Sequence, residues 1–131
     1  MIALAALALA APPTTKDLRV ALDEVRVNVE GIKIKLQGYH QLYGKYYACG
    51  TPEAAKARGA KLAPSPWEGG DCWKVLAFND PMPIRGGYWV VLTPGGYEVH
   101  GVLDGDGDGV FAEYVATSEA AAKPITPADE Y

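Results

Sequence analysis

Asp104, Asp106 and Asp108 occupy alternate positions in the run DGDGDG, and Gly109 follows the third. This spacing matches the first half of a calcium loop, where oxygen ligands come from positions one, three and five and a glycine permits the sharp turn. The second half departs from the pattern. An EF-hand carries a bidentate Glu at position twelve, which here is Val115, while Glu113 falls two residues short. Asp104, Asp106, Asp108 and Glu113 are therefore the expected metal set. Calcium is the expected ion, bound in the weak extracellular class with a Kd of about 10⁻⁴ to 10⁻³ M. The same letters also read as a polar hairpin turn, for which Asp and Gly are the usual residues. In either reading the run fixes a turn, and no cofactor is required.

Cys49 and Cys72 match neither a CxxC redox motif nor the paired knuckles of a zinc site. A disulfide is their simplest use. Closing a loop of that length stabilises a fold by roughly 3 kcal/mol in the chain-entropy model, provided the chain matures in an oxidising compartment. Catalytic constellations have little support. The histidines are His40 and His100 and the serines Ser65 and Ser118, all distant from one another in sequence, so a Ser/His/Asp or Cys/His arrangement would need chance proximity. The chain is expected not to be an enzyme. Tyr39, Tyr43, Tyr46 and Tyr47 resemble a stacking platform, but aromatics at helical spacing are more often core.

These residues need a scaffold, and composition limits what it is. The chain has 131 residues, 49% hydrophobic and 21% charged, which suits one small globular domain. Its net charge of -4, with Lys and Arg scattered, excludes nucleic acid as the main partner, because phosphate binding needs a concentrated basic surface.

The stretch VRVNVEGIKIKL, Val25 to Leu36, decides the architecture. Alternation at Val25, Val27 and Val29 and at Ile32, Ile34 and Leu36 reads as a hairpin turning at Glu30-Gly31. The wider window reads otherwise. Apolar residues recur by fours and threes at Leu18, Leu22, Val25, Val29, Ile32, Leu36, Tyr39 and Tyr43, and Arg19, Asp23, Arg26, Glu30, Lys33 and Gln37 keep the same step. Arg19 to Asp23 and Arg26 to Glu30 are i,i+4 pairs. Val20, Val27 and Ile34 form a second apolar stripe. A helix over residues 16–47 follows, roughly 48 Å long at ~1.5 Å per residue, with Thr14 and Asp17 placed as a capping box. Gly31, Gly38 and Gly44 oppose it by about 1 kcal/mol each, which tight packing against the helix would explain.

Thr51 and Pro52 start a short helix reaching about Leu62. Strands are expected at residues 73–78, 87–93, 97–103 and 110–117, joined by short turns and hence antiparallel. The tail from Ser118 has two prolines and no apolar period and is expected to lie along the surface. The fold class is therefore α+β: a long N-terminal helix packed against a roughly four-stranded antiparallel meander. Residues 1–13 form an apolar segment and residues 14–131 one domain, with the helix at 16–47 and the sheet at 73–117. MIALAALALA is too short to span a membrane and has no basic start. It reads as a signal peptide, as the remainder of a longer apolar helix, or as a core helix.

A helix whose first half has nothing to pack on, followed by a small antiparallel sheet, resembles a type IV pilin. MIALAALALA is similar to the middle of the apolar segment of pilins and pseudopilins, where it usually follows a Gly-Phe-Thr-Leu-Ile-Glu type start. VNVEGIKIKLQGYHQLYGKYY is similar to the helix end of delta-proteobacterial pilins, and IRGGYWVVLTPGGYEVHGVLDGDGDGVFAEYVAT resembles their two-hairpin sheet with its aspartate-rich turn. The resemblance implies a structural subunit of a type IV pilus or related filament. Such a subunit sits in the inner membrane before assembly and then packs against other pilin subunits in an extracellular filament. The face at Leu18, Leu22 and Val25 is expected to be left bare for that packing. The other function class is a secreted or periplasmic soluble module that loses its apolar start by signal cleavage and binds calcium or a surface ligand.

Overall fold

The computed structural model describes residues 12–79 and 83–131; the apolar run from Met1 to Ala11 lies outside them. The chain folds as α1 (Thr15–Tyr43), α2 (Pro52–Arg58), α3 (Gly70–Val75), β1 (Gly87–Thr93), β2 (Gly96–Leu103), β3 (Ala112–Thr117) and β4 (Lys123–Pro124). VRVNVEGIKIKL is helical throughout. The capping box starts α1 as the sequence demands: Thr14 Oγ1 accepts from the Asp17 N–H at 3.1 Å, and Asp17 Oδ2 accepts from the Thr14 N–H at 3.1 Å. The Thr14 backbone N–H, and then its hydroxyl, hold the Asp17 carboxyl below its ordinary pKa.

The helix ends before residue 47. Gly44 takes the left-handed conformation at φ +71°, and its N–H donates to His40 O at 2.7 Å. Tyr46 then folds back to stack on His40 and meet Tyr97 edge-on, so the late tyrosines cap the helix end instead of extending it. At 29 residues the rod is about 43 Å long.

The sheet is an antiparallel meander in the order β1-β2-β3-β4. Its strands differ from expectation at both ends of the run. Residues 73–78 do not form a strand: Gly70 at φ +75° opens α3, which buries Trp73, and Leu76, just past its end, is buried as well. The fourth strand comes instead from the tail, where Lys123 pairs with Val115 and Pro124 with Tyr114 at the sheet edge, a position that tolerates proline. The tail is also held by α1. The Glu30 carboxylate accepts from the Ala122 N–H, and Lys33 Nζ donates to Ala120 O at 3.0 Å. Glu30 is therefore spent on the tail, and Arg26 pairs with Asp23 at 2.7 Å instead.

One sheet face packs on α1. Tyr88, Val90, Tyr97, Val99, Leu103, Ala112 and Ala116 meet Ala21, Leu22, Val25, Val29, Ile32 and Leu36 in one buried cluster. Gly101 lets the helix come close, since a Cβ there would stand 2.6 Å from Val29 Cγ2. The opposite face takes α2 through Ala55, Trp89 and Val102. Ser65 and Pro66 are tied to Ile84 and Gly86 by Arg58, which lies over the Trp67 ring. Its guanidinium donates to Ser65 O, Pro66 O, Ile84 O and Gly86 O at 2.5 to 3.1 Å.

This packing corrects the expected assembly face. Leu18, Leu22 and Val25 are only 8%, 8% and 0% exposed. The cause is local: the β2–β3 turn folds over the helix start, where Gly105 lies against Leu18 and Leu62, and Gly86 and Gly101 bring the sheet onto Val25. The domain covers one side of the described helix from Leu18 to Leu36. Gly31 and Gly38 lie on the uncovered side, where among the described residues an added Cβ would meet nothing within 4 Å, so packing against those residues does not account for them.

Candidate functional site

The β2–β3 turn brings Asp104, Asp106 and Asp108 together, with one carboxylate oxygen from each within 4.8 Å of the others. The three do not play equal parts. Asp104 is 5% exposed and organises the loop: Oδ1 accepts from the Gly107 and Asp108 N–H groups at 2.9 and 3.2 Å, and Oδ2 from the Gly109 N–H at 2.9 Å. Gly107 and Gly109 make this wrap possible at φ +73° and +83°. Asp106 and Asp108 are exposed, and Asp108 Oδ1 accepts from the Val110 N–H at 2.8 Å. Loss of hydration and the crowding Asp108 and Asp104 carboxyls push Asp106 above its ordinary pKa. A hard divalent cation would reverse that repulsion and suits an all-oxygen donor set.

Glu113 does not join them. It sits on β3 opposite Val102, and its Oε2 lies 2.7 Å from His100 Nδ1. Glu98 Oε1 lies 2.9 Å from His100 Nε2, and the imidazole stacks on Trp89 at 4.5 Å and 6°. The physical reason is strand parity: alternate residues point to one face, and Glu113 points to the sheet face of Trp89 and His100 and not toward the turn. The residue that does feel the turn is Glu130. Its Oε1 is buried with no hydrogen-bond partner among the described residues, and desolvation followed by the Asp108 and Asp106 charges raises its pKa. No spacing rule pointed to it, because the tail lacks a period and approaches the turn only through the fold.

Cys49 and Cys72 are joined, with Cα atoms 5.7 Å apart. His40 is exposed on α1, and Tyr39, Tyr46 and Tyr47 pack partly buried against the core while Tyr43 stays exposed. A cleft of about 550 Å³ between α2 and the loop before α3 is lined by Arg58, Lys61, Trp67, Glu68, Trp73 and Tyr88. Much of its polar lining is spent internally. Besides Arg58, the Trp67 indole donates to Phe78 O, and Tyr88 bonds Arg85 O and Asn28.

Among the described residues the outer side of α1 is left without a partner. Val20, Val27 and Ile34, seven residues apart, are 56%, 50% and 63% exposed. Gly31 and Gly38 lie between and beyond them with open space at their Cβ positions. The result is an apolar ridge with shallow steps, the relief that lets a second helix approach closely. Among the described residues no helix is long and apolar enough to cross a membrane.

No family model, curated protein or solved structure matches the chain. Its architecture, a long N-terminal helix with a four-stranded antiparallel sheet, is compatible with the pilin-like fold.

Proposed function

We propose that the chain is a pilin-like structural subunit that assembles through the outer side of α1. The carrying observation is the two-sided helix: one stripe is buried by its own sheet, while Val20, Val27 and Ile34 stay exposed beside Gly31 and Gly38. Isolated exposed apolar residues are ordinary, but a repeat of seven along one helix face is a helix-packing pattern. Partners are other subunits of the same type, met first in the inner membrane, with the apolar residues 1–13 as the remainder of a longer anchoring helix, and then in an extracellular filament. The role is mechanical, not enzymatic. Replacing Ile34 by Lys should abolish association in sedimentation while leaving the melting temperature near that of the parent chain. Unchanged association would defeat this reading.

The convergence of Asp104, Asp106 and Asp108 favours a second reading, a secreted or periplasmic module whose turn holds calcium. Both readings place calcium at the same turn, so the oligomeric state separates them. A module of the second kind stays monomeric at every concentration, with or without the ion.

A further inference from the structure

β1 lies at one edge of the sheet and reads Gly-Tyr-Trp-Val-Val-Leu-Thr, without a charge or a proline. An uncharged strand rich in β-branched and aromatic residues is a template for pairing with another chain when its edge is open. In this fold the edge is guarded by three residues that belong to no helix or strand. The Cys49 N–H donates to Val90 O at 3.3 Å, and the Val90 N–H donates to Cys49 O at 2.6 Å. Gly50 follows at φ +74°, so close that a Cβ would stand 2.9 Å from Tyr88 O and 3.2 Å from the Trp73 ring. The segment runs between Tyr47, packed against the core, and Thr51, the cap of α2, and the bond from Cys49 to Cys72 in α3 is its one covalent crosslink. Backbone groups alternate in direction along a strand, so those of Tyr88 and Leu92 point outward with those of Val90.

We propose that the Cys49–Cys72 disulfide is a redox latch on this guard, and that reduction by a dithiol frees residues 48–50 and opens β1 to antiparallel pairing with β1 of a second copy. Two-fold pairing about Val90 sets Val90 against its counterpart and Tyr88 against Leu92 of the copy, a closed interface with no charge opposed to like charge. Cys72 is the accessible sulfur: it is partly exposed and lines the cleft beside α2, whereas Cys49 is buried. A reductant thiolate attacks Cys72, Cys49 leaves as a thiolate and takes a proton, and the second thiol resolves the mixed disulfide. Two electrons and two protons pass to the cysteine pair, and the dithiol becomes its cyclic disulfide. The surrounding loops hold without the bond, because Trp73 and Leu76 are buried and Arg58 binds four carbonyls.

The test uses the full chain, oxidised and with excess dithiothreitol. In dilute reduced protein, hydrogen exchange at Val90 should accelerate by about tenfold or more while amides between β2 and β3 stay protected. At higher concentration the reduced chain should form an additional dimer in sedimentation, and Leu92→Lys should remove that dimer. The Cys49→Ser/Cys72→Ser variant should behave as the reduced chain without any reductant. Unchanged protection of Val90, loss of protection throughout the sheet, or a dimer indifferent to Leu92→Lys would each overturn the latch. Association through α1 is independent of redox state and of Leu92, so either proposal can fail alone.

Discussion

The two sides of α1 carry apolar stripes of similar regularity and meet opposite fates. Leu18, Leu22, Val25, Val29, Ile32 and Leu36 are buried by the sheet and the β2–β3 turn, whereas Val20, Val27 and Ile34 face outward. The difference lies in what the rest of the chain brings to each side. Gly86, Gly101 and Gly105 allow backbone to come against the inner stripe, and among the described residues nothing comes within 4 Å of a Cβ added at Gly31 or Gly38 on the outer one. Periodicity therefore identifies faces that want a partner, and glycines in the opposing elements decide which face is served within the chain.

Substitutions should separate the two sides. Ile32→Ala, on the inner side, removes a fully buried side chain and should cost about 2–5 kcal/mol in thermal or urea unfolding. A loss below about 1 kcal/mol would mean that the sheet packs loosely on the helix. The outer side should respond with the opposite sign. Gly31→Ala adds a methyl group that meets nothing and should raise stability by about 0.5–1 kcal/mol, while weakening association by filling a step of the ridge. At the helix start, Thr14→Ala removes the reciprocal cap and should cost about 1 kcal/mol.

The acidic turn lies against the inner side through Gly105 and Leu18, so calcium should stabilise the folded chain. At a calcium concentration of about ten times Kd the gain is about 1.4 kcal/mol, seen as a rise in melting temperature that Asp106→Ala abolishes. No rise at millimolar calcium would reduce the run to a turn. The smallest effect belongs to Asp17. Its folded pKa is lowered, so its contribution is present above the ordinary carboxylate range and is lost as pH falls through the folded value. Asp17→Asn should flatten that part of the acid limb of the stability curve.

The helix was legible because its signal is long and redundant: a period over many residues and a capping box. Its end came earlier than expected because a run of tyrosines continues the apolar pattern past a glycine that reverses the chain. Residues 73–78 misled because Trp, Val, Leu and Phe suit a strand, while the disulfide and Gly70 fix a helical turn there. The aspartates were legible because turn chemistry is local. Glu113, Glu130 and the inner placement of Leu18 were not, since each depends on strand parity or on contacts between segments far apart in sequence. The latch is of the same kind: the cysteine pair could be guessed, but not that Cys49 lies along Val90.

The most direct measurement is sedimentation of the Val27→Lys/Ile34→Lys chain beside the parent, with unfolding followed in parallel. The two-sided helix predicts a protein that melts as the parent does and remains monomeric where the parent associates. A variant that associates as the parent does, or that loses its fold, would contradict it.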